Sequence, residues 1–409
     1  MLPKLRFPEF MDSGAISLEN GNVIFESINN RNHNSDLPVL AISQEHGAIP
    51  REQIDYNVSV SEKSLKSYKV VEVGDFIISL RSFEGGIEYS TWHGICSPAY
   101  IILRKKGTIV EQYYKYYFKS SKFIQDLNKD LEGIRDGKMV SYSQFSAILL
   151  PKPVNAEQQK IADCLSSLDN LITAENEKLE VLKTHKKGLM QMLFPSEGET
   201  VPEWRFPEFR DSGEWGKKKI SEVTSYVDYR GKTPKKSDNG VFLVTAKNVK
   251  MGYIDYSASQ EFIPTSSYDE VMSRGLPKIG DVIITTEAPL GNVAQIDKED
   301  IALAQRVIKY RGNKTVLDNT YLKLVLLSPK FQANLSSKST GGTVKGIKGS
   351  VLHEMMIDMT QIREQKKIAE CLSSIGEQIF AQTEKIETLK MHKKGLLQGL
   401  FPSAQEVME

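Results

Sequence analysis

The sequence has few cysteines and no long apolar segment. Three cysteines, Cys96, Cys164 and Cys371, occur among 409 residues, too few and too widely spaced for a disulfide framework. The first ten residues, MLPKLRFPEF, contain no apolar core of the length that a signal peptide needs, and no run of about 18 apolar residues occurs anywhere. We therefore expect a cytoplasmic protein without a membrane span.

Charge of one sign is not in excess either. Lys and Arg number 53 against 52 Asp and Glu, which gives a net charge of +1. The chain as a whole is therefore not a basic coat for nucleic acid, and any such contact must depend on local patches. With 40% hydrophobic and 26% charged residues, the composition is that of a soluble globular protein, long enough for two or three domains.

Motifs that would hold a nucleotide or a metal are absent from the sequence. There is no G-x-x-x-x-G-K-[ST] loop, no G-x-G-x-x-G turn and no N-P-P-[FY] tetrapeptide, so neither ATP nor S-adenosylmethionine has an evident site. The six histidines lack metal-ligand spacing. Asp281 and Glu287 could form a nuclease carboxylate pair, but no downstream lysine completes it. We expect a protein without catalytic residues, bound cofactor or metal, and keep a cryptic nucleic-acid enzyme as one alternative.

A long segment of the chain occurs twice. Residues 157 to 195 align with residues 364 to 402 without a gap, with 25 of 39 positions identical. A proline stands at the end of both copies, where it would terminate a helix. The segment is therefore a duplication.

Apolar residues in both copies recur at alternating intervals of four and three, which is typical of a coiled-coil seam. Polar residues interrupt both seams in step, Glu175 with Gln382 and Lys186 with Lys393. Antiparallel packing of the two helices would let each cover the apolar stripe of the other. The alternative is a pair of ordinary core helices in one large domain. The predicted seam positions are Ile161, Leu165, Leu168, Ile172, Leu179, Leu182, Leu189 and Leu193, with Ile368, Leu372, Ile375, Ile379, Ile386, Leu389, Leu396 and Leu400.

The segments before the helices repeat more faintly. RFPEFMDSG (6–14) returns as RFPEFRDSG (205–213), VGDFII (73–78) as IGDVII (279–284), and KFIQDL (122–127) as KFQANL (330–335). Each G-D-x-I-I stretch predicts a short apolar strand after a turn. We therefore predict an α+β fold in which two mixed α/β domains are separated by two long helices forming an antiparallel coiled coil, with an internal pseudo-two-fold repeat. The predicted boundaries are 1–153 and 196–361 for the domains, 154–195 and 362–403 for the helices, and 404–409 for a tail.

These motifs together resemble the specificity subunits of type I restriction-modification systems. The resemblance depends on the helix openings AEQQKIADCLSSL and REQKKIAECLSSI, the K-K-G-L-x-Q-x-L-F-P endings, the G-D-x-I-I strands and YRGKTP (229–234), and it covers essentially the whole chain. It implies that each domain is a target recognition domain reading one half of a split DNA site. It also implies that the subunit itself catalyses nothing.

Partners follow from the same resemblance. Two modification (methyltransferase) subunits would dock on the paired helices, and restriction and translocase subunits would join through them. S-adenosylmethionine and ATP with Mg would be used by those partners and not by this chain. A non-enzymatic coiled-coil scaffold that presents two protein-binding modules is the alternative function.

The second domain contains the strongest candidate for DNA contact. Residues 217 to 250 hold nine Lys or Arg against three acids, a mixture suited to phosphate contacts and base-edge hydrogen bonds. A glycine-rich segment at 337–350 adds three lysines and no acid. Both could instead be solvated surface loops. The predicted DNA contacts are Tyr229, Arg230, Lys232, Thr233, Lys235, Lys236, Lys247, Asn248 and Lys250, with Thr343, Lys345 and Lys348.

The first domain lacks the G-K-T-P motif, so its contacts are predicted from other segments. NNRNHNS (29–35) concentrates side chains that can hydrogen bond to purines, although it could equally be a polar turn. SLRSFEGGIEYS (79–90) follows the G-D-F-I-I strand, and we select Arg81 as the base reader, with a scaffold ion pair as its alternative role. The predicted contacts are Arg31, Asn32, His33 and Asn34, with Arg81, Ser82, Phe83 and Glu84.

Overall fold

Strands and short helices alternate up to residue 152 and again from residue 216 to 359, and each series is followed by a helix of 39 residues. The computed structural model describes residues 1–34, 36–44, 46–54, 62–129, 140–229 and 234–402, without the side chains of residues 62, 63 and 83. The α+β class and the two long helices are confirmed. The predicted tail, 404–409, lies outside the described residues.

The chain folds into two compact units. Unit 1 comprises residues 1–177 together with the chain from residue 384 onward, and unit 2 comprises residues 178–383. Both long helices cross from one unit to the other, so each unit holds the start of one helix and the end of the other. No helix among the described residues has the length and apolar composition needed to cross a membrane.

The described residues up to residue 193 form ten strands and seven α-helices. The strands are β1 (Ser17–Asn20), β2 (Phe25–Ile28), β3 (Leu40–Ser43), β4 (Gly47–Pro50), β5 (Lys69–Val71), β6 (Phe76–Ile78), β7 (Glu88–Tyr89), β8 (Gly94–Cys96), β9 (Ile101–Lys105) and β10 (Leu149–Lys152). The helices are α1 (Gly21–Ile24), α2 (Glu62–Leu65), α3 (Ser82–Gly85), α4 (Glu111–Tyr117), α5 (Ser121–Asn128), α6 (Tyr142–Ala147) and the long α7 (Asn155–Leu193).

Between residues 207 and 400, the part of the chain that the structure describes forms nine strands and six α-helices. The strands are β11 (Gly216–Lys219), β12 (Thr224–Asp228), β13 (Val241–Val244), β14 (Phe262–Ile263), β15 (Val282–Thr286), β16 (Leu290–Gln295), β17 (Ile301–Leu303), β18 (Val307–Gly312) and β19 (Met356–Met359). The helices are α8 (Ile220–Val223), α9 (Tyr268–Val271), α10 (Asn319–Leu327), α11 (Pro329–Ser337), α12 (Gly349–His353) and the long α13 (Ile362–Leu400).

Both units contain a four-stranded antiparallel sheet with the same strand order. The order is β2-β9-β6-β7 in unit 1 and β12-β18-β15-β16 in unit 2. The register also agrees, because Phe76 pairs with Leu103 in the first sheet and Val282 with Tyr310 in the second. In addition, β1 pairs with β10 and β11 with β19. The internal repeat therefore extends through the whole fold of each unit.

The G-D-x-I-I motif forms the turn before the central strand in both sheets. Gly74 and Gly280 have φ angles of +97° and +88°, a left-handed conformation that favours glycine. The following Asp281 is 1% exposed and accepts two hydrogen bonds from Arg311, at 2.6 and 2.7 Å. Asp75 receives the same bidentate contact from Arg104, at 2.8 Å for both bonds. Asp281 thus holds the sheet together and is not available as half of a nuclease pair.

A buried ion pair connects the repeated R-F-P-E-F segment to the start of each long helix. Arg6 donates two hydrogen bonds to Glu157, at 2.7 and 2.8 Å, and Arg205 donates two to Glu364, at 2.6 and 2.7 Å. Both carboxylates are 1% exposed. Because a buried carboxylate without a partner is strongly destabilising, each pair fixes a domain to its helix.

The glutamine after each of these glutamates makes a second connection. The side chain of Gln158 accepts from the Val110 amide at 3.0 Å and donates to the Pro153 carbonyl at 2.8 Å. The side chain of Gln365 accepts from the Asp318 amide at 3.0 Å and donates to the Thr360 carbonyl at 2.7 Å. The E-Q helix opening is therefore a structural joint present in both units.

The long helices pack in opposite directions within each unit. In unit 1, Ile161 and Leu165 near the start of α7 share a core with Leu400 and Phe401 at the end of α13. The Phe401 ring contacts the ring of Tyr113 at a centroid distance of 5.2 Å. In unit 2, the start of α13 packs against the end of α7 in the same way. Every predicted seam position is buried or half-buried.

The polar layers of the two seams differ in charge. In unit 1, Lys393 pairs with Asp169. At the matching place in unit 2, Lys186 faces Gly376, where an added Cβ would lie 3.1 Å from the lysine Nζ. Burial lowers the pKa of Lys186, and burial together with the charge of Lys186 lowers the pKa of Lys323. Unit 2 therefore has a half-buried lysine where unit 1 has an ion pair.

We expect Gly376→Asp to stabilise unit 2 through a new ion pair with Lys186. The coupling between the two positions should be about 0.5 to 1 kcal/mol, measured from urea unfolding in a double-mutant cycle with Lys186→Met. Gly376→Ala is the control, since it gives only the helix-propensity gain of up to about 1 kcal/mol. An equal effect of Gly376→Asp with and without Lys186 would contradict the pairing.

Candidate nucleic-acid interface

A groove in unit 1 lies beside the end of β6. It has a volume of about 700 Å³ and is lined by residues of β3, by the residues after β6, and by Arg51 and Tyr100. Arg81 is exposed on this surface, which we name the first groove. The Nη1 atom of Arg51 is buried and has no hydrogen-bond acceptor among the described residues. Of the side chains that the structure describes, two guanidinium groups and no carboxylate line the first groove, which gives it a positive charge.

The backbone around Arg81 is fixed by a tight turn. The Ser79 amide donates to the Ser82 Oγ at 2.8 Å, and the Arg81 amide donates to the Ser79 Oγ at 3.3 Å. The Gln44 side chain donates to the Arg81 carbonyl at 3.1 Å. These hydrogen bonds fix the backbone position from which the Arg81 side chain extends at the groove. Glu84 is also exposed, whereas the side chain of Phe83 lies outside the described residues.

Two adjoining pockets occupy the equivalent place in unit 2, beside the end of β15. Their volumes are about 440 and 250 Å³, and Gln305 and Arg306 line both. We name them together the second groove. Its walls are formed by the end of β15, the segment after β13, the loop before β18 and the glycine-rich segment. The first groove likewise contains the residues after β6, residues of β3 and Tyr100 before β9. The duplicated fold thus places a groove at the same position in each unit.

Lysines predicted from the sequence line the second groove. Lys236, Lys247 and Lys348 lie on its walls, and Lys236 pairs with Glu261 at 2.7 Å. Counting only side chains that the structure describes, Arg306 brings the groove to four cationic groups against the two carboxylates of Glu261 and Glu287. This excess suits a polyanion such as DNA.

The other predicted lysines and the predicted threonine that the structure describes lie elsewhere on unit 2. Lys235, Thr343 and Lys345 are exposed, and Lys250 is half-buried. None of these four lines the second groove. The predicted contacts Arg230, Lys232 and Thr233 lie outside the described residues.

Three predicted DNA contacts are buried and serve the fold instead. Asn248 is 0% exposed, and its side chain accepts from the Thr245 amide at 2.9 Å and donates to the carbonyls of Asp255 and Ser259. Tyr229 is 6% exposed and its hydroxyl donates to the Gly275 carbonyl at 2.6 Å. Ser82 is 1% exposed within the turn before α3. Their polar atoms are already hydrogen bonded inside the protein, which favours a structural role for these three residues.

The asparagine-rich segment of the first domain lies apart from the lining of the first groove. The Asn34 side chain bonds to Asp36, and the Asn30 side chain accepts from the Asn32 amide at 2.9 Å. His33 is half-buried, with its Nε2 3.1 Å from the Tyr68 carbonyl. Arg31 is exposed. Several polar atoms of this segment therefore take part in local contacts, in agreement with the polar-turn alternative.

Sequence reasoning missed several groove residues. Arg51, Gln305 and Arg306 lie in stretches without a basic patch or a motif. Glu287 carried a usable signal, because it follows Gly280 by seven positions just as Arg81 follows Gly74. Aligning the two G-D-x-I-I stretches would have placed both side chains at one structural position.

Comparisons with known proteins agree over nearly the whole chain. The family model described as "Type I restriction modification DNA specificity domain" matches residues 13–184 and 212–391. The type I restriction enzyme MjaVIII specificity subunit of Methanocaldococcus jannaschii is 28% identical over 345 residues, 81% of this chain and 79% of that protein.

Two solved structures share the fold at low identity. The S subunit of a type I restriction-modification system from M. genitalium has a TM-score of 0.56 at 13% identity, covering 99% of this chain and 100% of that one. A chain from a structural study of complex assembly in a type I R-M system has a TM-score of 0.53 at 15% identity, covering 95% of this chain and 94% of that one.

We expect Asn248→Ala to destabilise unit 2 although the residue lies in a basic segment. Removing the side chain leaves buried backbone groups without partners, which costs about 1 to 3 kcal/mol in the free energy of unfolding. The neighbouring Lys247→Ala is the control and should change it by no more than about 0.5 kcal/mol. Urea unfolding of both variants provides the measurement, and an Asn248→Ala protein as stable as the control would contradict the structural role.

Proposed function

Because this chain belongs to the family of type I restriction-modification DNA specificity proteins, we propose that its two grooves are the surfaces through which it reads a bipartite DNA target. The chain is a DNA-recognition subunit with two recognition domains and no catalytic role. The observation that carries the assignment to the grooves is their duplication. A cationic groove lies beside the same strand end in both units.

Phosphate and base contacts would come from different side chains. Exposed lysines such as Lys235, Lys345 and Lys348 neutralise phosphates and contribute affinity without sequence preference. Arg81, held at the first groove by its turn, offers the paired donors that suit guanine. With a net charge of +1, the chain alone should bind DNA weakly, and the full complex should bind tightly.

The long helices would provide the docking surfaces for two modification subunits. Support comes from the repeat, since each unit contains one helix start packed against one helix end. Restriction and translocase subunits would then join through the modification subunits. S-adenosylmethionine, ATP and Mg would be bound by these partners, and the assembly would work in the cytoplasm without contact to a membrane.

The test is the methylation pattern of a complex of this chain with its modification subunits. Wild type should methylate a split site with two defined halves. Arg81→Ala should lose about 1 to 3 kcal/mol of discrimination at one position of one half-site, because one paired base contact is removed. Lys235→Ala should instead weaken binding to all sequences and make its salt dependence shallower.

Two results would count against these assignments. Methylation without sequence preference in the wild-type complex would favour the protein-binding scaffold. An Arg81→Ala complex with wild-type preference at both half-sites would assign Arg81 to the scaffold of the domain and leave the recognition function intact.

The stoichiometry of the complex is a separate prediction. We expect two modification subunits for each copy of this chain, because the duplicated helices offer two similar surfaces. Native mass spectrometry of the purified complex measures the ratio directly. A single modification subunit at saturating concentration would contradict the two docking surfaces.

A further inference from the structure

Glu287 occupies in unit 2 the position that Arg81 occupies in unit 1. Each follows the glycine of its G-D-x-I-I motif by seven residues, and the strands concerned, β6 and β15, have the same neighbours in their sheets. Both side chains line their grooves. The duplicated scaffold therefore presents a donor at one groove and an acceptor at the other.

The backbone that carries Glu287 is held on both sides. Glu287 forms an antiparallel bridge with Gly346 of the glycine-rich segment. On the other side, the Thr286 amide donates to the Arg306 carbonyl at 3.0 Å. The next residue, Ala288, has a φ of +46°, a conformation that residues other than glycine rarely adopt. Residues in such sparsely populated conformations cluster at active sites and ligand-binding sites.

The carboxylate of Glu287 has no strong partner within the described part of the chain. The nearest cation is Arg306, whose Nε lies 3.7 Å from the Glu287 Oε2, and the two side chains are 49% and 45% exposed. Exposed pairs of this geometry contribute little to stability. The Glu287 carboxylate is thus available to a ligand in the second groove.

A carboxylate in a groove that binds DNA is repelled by the phosphates. A hydrogen-bond donor on the DNA can offset this repulsion. The base edges provide such donors in the major groove, namely the amino groups of cytosine and adenine, and glutamate typically accepts from cytosine. The other cations of the second groove reduce the repulsion from the backbone. The observed charges therefore fit a base contact better than a phosphate contact.

We propose that Glu287 is a specificity-determining residue that accepts a hydrogen bond from the amino group of a cytosine or an adenine in one half-site. This inference rests on the proposed DNA-recognition function. It assigns opposite hydrogen-bonding roles to one position of the repeat, a donor at Arg81 and an acceptor at Glu287. The half-site read by unit 2 accordingly contains one position at which a defined strand carries cytosine or adenine.

The experiment compares complexes of the modification subunits with wild-type chain, Glu287→Gln, Glu287→Arg and Glu299→Gln on a DNA library randomised in both half-sites. Glu299 is exposed and lines neither pocket of the second groove, so its variant matches the charge change. At one position of one strand, Glu287→Gln should change the preference between cytosine and adenine roughly 10-fold in favour of adenine, because glutamine pairs with adenine whereas glutamate accepts from cytosine. Glu287→Arg should move the preference at that strand position toward guanine.

The other half-site is the internal control for folding. It should be read unchanged by all four complexes, and Glu299→Gln should match wild type throughout. Unchanged preference at every position with both Glu287 variants would overturn the inference, and so would a uniform loss of affinity for all sequences in a complex that remains folded. If the wild-type complex itself lacked sequence preference, the proposed function would fail first, which separates the two hypotheses.

Discussion

The buried Arg–Glu pair at the start of each long helix is the interaction on which the rest of the architecture depends. Arg6 with Glu157 and Arg205 with Glu364 bring together the first residues of each domain and the first turn of the helix that follows it, more than 150 residues later. The adjacent glutamine connects a third segment to the same point. Since the carboxylates are removed from water, losing either arginine would leave an unpaired buried charge. These contacts explain why the R-F-P-E-F motif lies at the start of each domain and the E-Q motif at its end.

The grooves show how one scaffold can present two different surfaces. The G-D-x-I-I turn and its Asp–Arg pair fix the central strand in both sheets. The residues just after that strand are free to differ, because the strand from which they extend is already held in the sheet on both sides. Arg81 and Glu287 are the clearest case, with opposite charge at one structural position. Specificity can therefore change through a few loop residues without a cost to the core.

The regular parts of the fold could be predicted from the sequence, and the surface roles could be predicted only in part. Helix seams follow from a local period, and the strand turn follows from glycine and aspartate at fixed spacing. The hydrogen bonds of Asn248 and Tyr229 could not be predicted, because the carbonyls to which their side chains donate, those of Asp255 and Gly275, belong to other segments. Arg51 and Arg306 were missed since a groove is assembled from distant stretches of chain, and no local pattern marks its lining.

Each unit contains the start of one long helix and the end of the other, and this arrangement affects the order in which the units can fold during synthesis. Unit 2 is continuous in sequence, so all of its residues have left the ribosome once residue 383 has emerged. Unit 1 needs Leu400 and Phe401 to complete the core around Tyr113 and Tyr117, although its other core residues were made more than 200 positions earlier. Unit 1 is therefore synthesised first but completes its core last. A chain that stops before the final turn of α13 would leave the aromatic core of unit 1 open, although most of unit 1 had the longest time to fold.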